Sequence, residues 1–545
     1  MKTEQVQWKR SQPLAEAYIR NYTQVSSLYE YDPSASASWK ERAAWLESSE
    51  GQVQRVARSA VADVLEAYNR RAGAGEETLA NVRRLRESGT LAVVGGQQAG
   101  LFTGPLLVIY KAVTILQTAK RAEAALGVPV VPVFWIAGED HDFDEANHTF
   151  VLNAESQIHK LKIEHPTGHR TAVSRTAIDS AVWEDALNEL SGLLQDTEFK
   201  PVLLGQLREA AASSATLSDF FARSMAQLFG RYGLVLLDSD DPNLRALEGP
   251  MFAQLIGRNG ALADALQSAK RRIEAAGFAP AAEVVPQNAN VFVFRDGERV
   301  LLQRDGADFT DKRGTFRLSE AQLLAAAGSE PGTFSNNVMT RPLMQDVLLP
   351  VLASVLGPGE LAYWALTKDA FREFGLRMPL LVPRQEYTLV EGTLHKHFTK
   401  FGLSAEDALF RLEECKQAWL EGQDTLQLKE RFAAARNEFH AMYAPLVELV
   451  GTINNGVGQL AETNRQRILD QIEFLEGKAQ DAYHAQFDAS LRHWERIGAV
   501  LTPLGRPQER VLNVYHFINK FGEDWLHGLI GREPQTSKDH QIVYL

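Results

Sequence analysis

L-A-V-V-G-G-Q-Q-A-G-L-F-T-G-P (91–105) and V-P-V-V-P-V-F-W-I-A-G-E-D-H-D-F-D-E-A-N-H (128–148) decide the fold class of this chain. In the first stretch an apolar run, Leu91 to Val94, breaks into a loop rich in Gly and Gln, and a helical pattern runs from Pro105 to about Leu126. Proline suits a first helical position and Gly127 follows the end. In the second, the apolar run 128–136 ends in a cluster of acids and histidines. The unit reads as β-loop-α-β with polar chemistry at the end of both strands. Ligands of open α/β sheets collect beyond the carboxyl ends of the strands, so this segment predicts a small-molecule site.

Outward from it, residues 1 to about 85 read as mostly helical, with apolar helical spacing from Trp39 to Ala72 broken by the Gly-Ala-Gly of 73–75. Residues 150–200 are mixed, 205–231 is helical, and 234–238 is a third buried strand that also ends in acids, Asp238, Asp240 and Asp241. Asn290 to Arg304 alternates on both sides of Asp296-Gly297, a two-residue hairpin signal inside an otherwise alternating α/β pattern. Arg341 to Val355 reads as helix, followed by the Gly357-Pro358-Gly359 turn, a helix from Glu360 to Gly375 and a strand at Pro379 to Pro383.

From about 391 the sequence becomes long, polar and nearly strand-free. Phe432, Phe439, Met442, Leu446 and Leu449 recur at coiled-coil spacing, and the pattern resumes at Ile468, Ile472, Leu475, Ala479 and Ala482 beyond an Asn/Gly turn. This predicts an antiparallel helical hairpin whose seam closes on itself or extends against a second copy. The expected organisation is a core over 1–390, a coiled-coil hairpin over 391–502, and a tail over 503–545 that returns to the core.

Composition bounds the partners. The 545 residues are 45% hydrophobic and 23% charged, which is globular. A formal net charge of -12 argues against a general nucleic-acid footprint. The N-terminus lacks the apolar core of a signal peptide, and no run of about 18 apolar residues predicts a membrane span. Cys415 is the only cysteine, which excludes an intrachain disulfide and a cysteine-rich zinc site and fits a reducing cytoplasm.

Several groups of residues can carry chemistry, each with a plainer alternative. Gly95, Gly96, Gly100 and Gly104 allow close backbone approach, Gln97, Gln98 and Thr103 offer uncharged donors and acceptors, and amides at the start of the Pro105 helix can hold an anion. The plainer reading is a tight strand-to-helix turn. No Gly-Lys-Ser/Thr follows, so the loop is not a phosphate loop of the Walker type. Glu139, Asp140, His141, Asp142, Asp144, Glu145, Asn147 and His148 can orient an amine, tune a general base or hold a metal, although the spacing is not that of a zinc site. Asp144 and Glu145 also fit a solvated acidic loop with a helix cap. Arg341 and Asp346 can clamp a carboxylate or form a structural salt bridge, while Glu360, Tyr363 and Trp364 can stack on a sugar or base or pack a helix. Arg384 lies just past the last strand, on the ligand side. Arg510, Asn513 and Lys520 share a face of the tail helix, where a solvated stripe is the plainer reading.

Four motifs, G-G-Q-Q-A-G-L-F-T-G-P-L-L-V-I-Y-K (95–111), P-V-F-W-I-A-G-E-D-H-D-F-D-E-A-N-H (132–148), G-P-G-E-L-A-Y-W (357–364) and P-Q-E-R-V-L-N (507–513), together resemble the cysteine-adding enzyme family of bacillithiol biosynthesis. The resemblance spans essentially the whole chain. It implies a Rossmann-like core similar to class I aminoacyl-tRNA synthetases, with connecting insertions and a C-terminal coiled coil that mediates a homodimer. It also implies a ligase that joins the cysteine carboxyl to the glucosamine amine of glucosaminyl malate. The 97–104 loop stands where a synthetase carries His-x-Gly-His, and the chain has neither that pair nor Lys-Met-Ser-Lys-Ser.

With that chemistry, ATP as its Mg complex is expected to activate cysteine. The loop with Gly100 and Gly104 is expected to hold phosphate or carboxylate, and Arg510, Asn513 and Lys520 of the tail are expected to contribute to nucleotide binding. Gln97, Gln98, Thr103, Asn147, His148, Glu360, Tyr363 and Trp364 contact substrate. Glu139, Asp140 and Asp142 receive ammonium groups, His141 is the candidate base, and Arg341 or Arg384 meets the malate carboxylates. No protein-bound structural metal is expected. The competing readings are a non-catalytic nucleotide-binding adaptor and a metal-dependent hydrolase.

Overall fold

A computed structural model describes residues 2–8, 10–53, 55–423, 426–532 and 538–545. The chain divides into one unit of Met1–Leu389 with Arg506–Leu545 and a second of Val390–Gly505.

The centre of the first unit is a five-stranded sheet in the order Leu380–Pro383, Val351–Leu356, Leu91–Gln97, Val130–Ile136, Val235–Asp238. Every neighbouring pair is parallel. In chain order this is 5-4-1-2-3, the Rossmann arrangement, and its switch point lies between the 91–97 and 351–356 strands, which leave the centre in opposite directions. Such strands are covered on both faces and read as continuous apolar runs; V-V-P-V-F-W-I and V-L-A-S-V-L are buried at every position.

The 351–356 strand corrects the helix expected over 341–355. The helix stops at Leu348, and Leu349 and Pro350 redirect the chain into the sheet. A short apolar run fits a buried strand as well as a buried helix turn by periodicity, and Pro350 was the signal to divide it. Two other expected helices are also divided. The 205–231 segment holds Lys200–Ala212 and Leu217–Phe229, the second begun by a reciprocal Thr216–Asp219 capping box. The 360–375 segment holds Pro358–Trp364 and Lys368–Glu373.

The Leu106–Leu126 helix connects the first two strands. It ends on Gly127 at φ 70°, whose N–H closes on Glu123 O at 2.9 Å. The N-terminal helices pack on the sheet and finish its hydrogen bonding. The Asn69 amide donates to Leu236 O at 2.8 Å and accepts from Leu236 N at 2.9 Å, covering the edge strand that would otherwise present open backbone. Arg42, fully buried, donates to Val351 O and reaches Asp346 at 2.5 Å. Two alternating runs form an antiparallel pair, Asn288–Arg295 with Glu298–Asp305, inside a second five-stranded sheet. Tail and N-terminus meet in a further sheet, where Lys2–Val6 pairs antiparallel with His540–Tyr544.

In the second unit, helices Leu428–Ile453 and Asn455–Ala485 are separated by Asn454 alone. Their contacts keep a near-constant sum of residue numbers: Arg436 pairs with Glu476, and Tyr443 accepts from Asn464 at 2.8 Å. That is an antiparallel coiled-coil hairpin. Phe432 and Phe439 are half-buried in the seam, whereas Met442, Leu446 and Leu449 are 64%, 51% and 60% exposed. Among the described residues no helix is long and apolar enough to cross a membrane.

Candidate active site

A cleft of about 840 Å³ opens beyond the carboxyl ends of the central strands, at the switch point. Its floor is made by the two strands that part there. Gly96 and Gln97 end one, and Gly357 to Glu360 follow the other. Lys111, from the intervening helix, ties them together. Its ammonium donates to Gly96 O at 2.6 Å, Gln97 Oε1 at 3.0 Å and Glu360 Oε2 at 2.5 Å, with no exposure to solvent. Burial pulls the ammonium below the ordinary lysine value, and Glu360 opposes that shift. All three ammonium protons are used. Sequence reasoning missed Lys111, although a lone cation inside L-L-V-I-Y-K-A-V-T-I-L was a readable signal.

The loop after the first strand is tightly wound. Phe102 and Thr103 both have positive φ, 50° and 67°, and Gly104 has φ 70° with ψ -156°, a region open essentially to glycine alone. Asn513 braces it from the tail, its two amide protons shared among Phe102 O at 2.7 Å, Gly104 O at 2.8 Å and Thr149 Oγ1 at 3.0 Å. Asn513 therefore supports the loop from behind and does not line the cleft. At the start of the helix, Leu106 N–H donates to Leu512 O at 2.9 Å and Val108 N–H to Pro105 O at 3.0 Å, so these amides are engaged within the protein. Gly100 and Gly104 line the cleft; Thr103 is buried beneath it.

The acids divide by environment. Glu139 is buried and locked, accepting from Arg245 at 2.6 Å and from Asn336 N–H at 3.0 Å. Asp140 accepts from Gln98 at 2.7 Å. Burial pushes its carboxyl up, but the Gln98 hydrogen bond and the Arg299 charge outweigh it and hold the group below the usual carboxylate range. Asp142 caps the Phe143–Ala146 turn. Glu145 faces the cleft with its carboxyl raised, mainly by burial. Glu145, which also fits a solvated acidic loop, is an exposed side chain that lines this cleft. Asn147 is buried on Ile163 O at 2.9 Å, while His148 lines the cleft. Among the described residues no three His, Cys, Asp or Glu side chains are grouped as metal ligands.

The cations divide likewise. Arg384 forms a buried, two-pronged pair with Glu509 at 2.7 and 2.5 Å, so both terminal nitrogens already hold a carboxylate. Burial works against its charge, and Glu509 prevails. Arg341 donates to Gln345 at 2.9 Å and lies beside the Trp135 and Trp364 rings. Its expected partner Asp346 is instead bound by Arg42 and Arg55. Arg506 and Arg510 also face the cleft, and Arg341, Arg506 and Arg510 make no salt bridge among the described residues. Tyr363 and Glu360 line the cleft, Trp364 is in the core, and Lys520 lies outside the lining. Arg299, missed in the sequence, enters from the inserted sheet and contacts His141.

The comparisons with known proteins agree with this architecture. Residues 1–385 match the N-terminal Rossmann-like domain of bacillithiol biosynthesis BshC, and residues 387–545 match its C-terminal coiled-coil domain. A protein of Geobacillus thermodenitrificans, provisionally named cysteine ligase BshC, is 39% identical over 497 residues, covering 91% of this chain and 92% of its own. One of the same name from Symbiobacterium thermophilum is 39% identical over 545 residues, covering 97% of each chain. A third, from a Geobacillus species, is 36% identical over 548 residues and covers both chains completely. With both domain types matched in order and relatives aligned from end to end, the chain belongs to the bacillithiol biosynthesis BshC family.

Proposed function

We propose that this chain is the cysteine ligase of bacillithiol biosynthesis, forming the amide between the cysteine carboxyl and the glucosamine amine of glucosaminyl malate. The observation that carries the reading is the cleft at the switch point, which is lined by three guanidinium groups that make no salt bridge among the described residues, those of Arg341, Arg506 and Arg510, beside the acids of the 139–145 turn. Such a site suits one substrate rich in anionic oxygens and another presenting an amine. ATP fits the same donor set: Arg341, Arg506 and Arg510 are the residues to hold its phosphates. When bound, it supplies the activation that turns the cysteine carboxylate into an acyl group with a leaving group.

The chain's own residues do the rest. The attacking amine must be unprotonated and must shed a proton as the C–N bond forms. Glu145, whose carboxyl holds protons more tightly than an ordinary one, is the group we assign to accept it. Asp140, kept ionised and fixed by Gln98, is placed to orient an ammonium. Lys111 keeps Gln97 and Glu360 at their positions on the two strand ends. Incubating the protein with ATP, cysteine and glucosaminyl malate should yield the amide by mass spectrometry. Absence of product with all three present would refute the reading.

We also propose that a second copy of the chain covers the exposed stripe of Met442, Leu446, Leu449 and Ile453, because an apolar row of this length on a coiled coil needs a partner. Leu446→Glu with Leu449→Glu should convert a dimer to a monomer in light scattering; an unchanged mass places the interface elsewhere.

A further inference from the structure

Four side-chain amides line the cleft, those of Gln97, Gln98, Asn336 and Asn337. Three are engaged within the chain. Gln97 accepts from Lys111, Gln98 donates to Asp140, and Asn337 donates to Asn290 Oδ1 at 2.8 Å while accepting from the N–H groups of Met339 and Thr340. The His141 ring beside them is likewise met on both nitrogens, by Arg299 at 2.9 Å and Arg170 at 2.6 Å. Asn336 is the exception. It is 2% exposed, and neither its Nδ2 nor its Oδ1 has a hydrogen-bond partner; among the described residues it is the only buried side-chain amide with both atoms unmet. Buried polar groups are nearly always paired, because an unmet one forfeits its hydration for nothing.

The backbone beneath that amide is fixed. Asn336 N–H donates to Glu139 Oε2 at 3.0 Å, its carbonyl accepts from Arg299 Nη2 at 2.5 Å, and Glu139 is itself held by Arg245. The strand Phe334–Asn336 pairs antiparallel with Asn288–Arg295, which sets Asn336 opposite Val291. The amide plane, by contrast, meets no partner that stops it turning about χ2, a broad torsion, so either atom can be presented at the cleft wall. Glu139 and Arg299, bonded to its N–H and its carbonyl, carry opposite charges. The position therefore offers one donor group and one acceptor in a balanced field. An anionic oxygen would use the donor and confront Oδ1, and an ammonium would use Oδ1 and confront the NH2. A hydroxyl both gives and takes a hydrogen bond, and two neighbouring hydroxyls satisfy both atoms at once.

The geometry points to Asn336 as the residue that recognises hydroxyls of the glucosamine ring, its Nδ2 donating to one sugar oxygen and its Oδ1 accepting from a neighbouring hydroxyl. This rests on the ligase reading for the sugar that it brings to the cleft. It separates the work of the site by charge: the arginines meet anionic oxygens, Asp140 meets an ammonium, and Asn336 reads the neutral part of the substrate.

Calorimetric titration of the full chain with glucosaminyl malate and, separately, with malate, which lacks the sugar, tests the assignment. Asn336→Ala breaks no side-chain hydrogen bond of the chain, so it should melt close to the parent. It should bind glucosaminyl malate about 10-fold or more weakly, the value of a hydrogen bond whose partner is left unmet, while any affinity for malate stays unchanged. Asn336→Leu, which keeps the branched shape, should show the same loss. A monodeoxy sugar analogue that lacks a hydroxyl read by Asn336 should bind the parent more weakly but lose nothing further in Asn336→Ala. Parent-like affinity of both variants for glucosaminyl malate, an equal loss for malate, additive losses with every monodeoxy analogue, or no binding of glucosaminyl malate to the parent overturns the assignment. Unfolding of both variants overturns it too, since the amide would then be structural. The amide assay is independent: product at the parent KM in Asn336→Ala refutes this inference alone, and Asn336-dependent binding without product refutes only the ligase.

Discussion

Replacing Asn513 tests whether the tail holds the loop beside the cleft in its wound conformation. The residue is fully buried; its two amide protons are shared among Phe102 O, Gly104 O and Thr149 Oγ1, and its amide oxygen accepts from Tyr515 N–H at 2.9 Å, which caps the Val514–Phe521 helix. In Asn513→Ala the carbonyls of Phe102 and Gly104 lose their partner, at about 1–3 kcal/mol each, and the helix loses a cap worth about 1 kcal/mol. The loop meanwhile stores about 1–3 kcal/mol at each of Phe102 and Thr103, which Asn513 helps to hold in place. A net loss of about 3 kcal/mol raises local opening roughly 100-fold. Hydrogen exchange at the amides of Gly100 and Gly104, which bond Gln98 O and Leu101 O, should therefore accelerate by about that factor. Asn513→Asp keeps the cap but turns a carboxylate oxygen toward two carbonyls, so it should open the loop further than alanine. Parent-like protection of the loop in Asn513→Asp would show that the brace is dispensable and the reasoning wrong.

Three further substitutions follow from buried charges. Lys111→Met deprives the Glu360 carboxylate, the Gly96 carbonyl and the Gln97 side-chain oxygen of their donor, and should lower stability by about 3–5 kcal/mol in chemical denaturation; adding Glu360→Gln should recover part of it, and strict additivity would deny the coupling. Arg384→Ala leaves Glu509 unpaired and should cost a similar ~3–5 kcal/mol; a loss confined to substrate affinity, at parent stability, would return Arg384 to the substrate. Asp238 is pushed up to about 8 by burial, with Asp240 and Asp241 adding to the shift against the Asp240 N–H. An acid raised in the folded state binds more protons folded than unfolded, so its contribution is complete below the unfolded value near 4 and is lost as pH rises toward 8. Asp238→Asn should flatten that part of the melting-temperature profile and stabilise the protein at pH 9; an unchanged profile would refute the assignment.

Local signals made the centre of the fold readable. Apolar runs closed by Gly-Gln and by acids marked two strand ends, and Pro105 with Gly127 bounded the helix between them. The 351–356 strand was hidden because the segment before it is a genuine helix of similar apolar content, and without that strand the switch point has only one wall. Site residues were legible where chemistry is crowded into a short stretch, as in 139–148, and illegible where a partner comes from far along the chain. Glu139 looks like a free acid until Arg245 is seen beside it, and Arg384 like a free cation until Glu509 is. Arg170 and Arg299, in a loop and an inserted strand, carry no local mark of a shared target. The coiled-coil spacing located both arms, but an interval of three or four does not say whether a residue lies in the seam, as Phe439 does, or outside it, as Leu449 does.

The pairing of Lys2–Val6 with His540–Tyr544 has a consequence for biosynthesis. The first strand leaves the ribosome tens of seconds before its partner at ordinary elongation rates. Through that interval its backbone donors and acceptors have only water or a chaperone to satisfy them. The final closure joins segments more than 500 residues apart, a contact of very high order that cannot form early in folding. The two ends of the described chain then lie side by side. Linking them by a short peptide and opening the chain at Asp296-Gly297, the exposed tip between two paired strands, should leave the finished fold intact while reversing which half is made first.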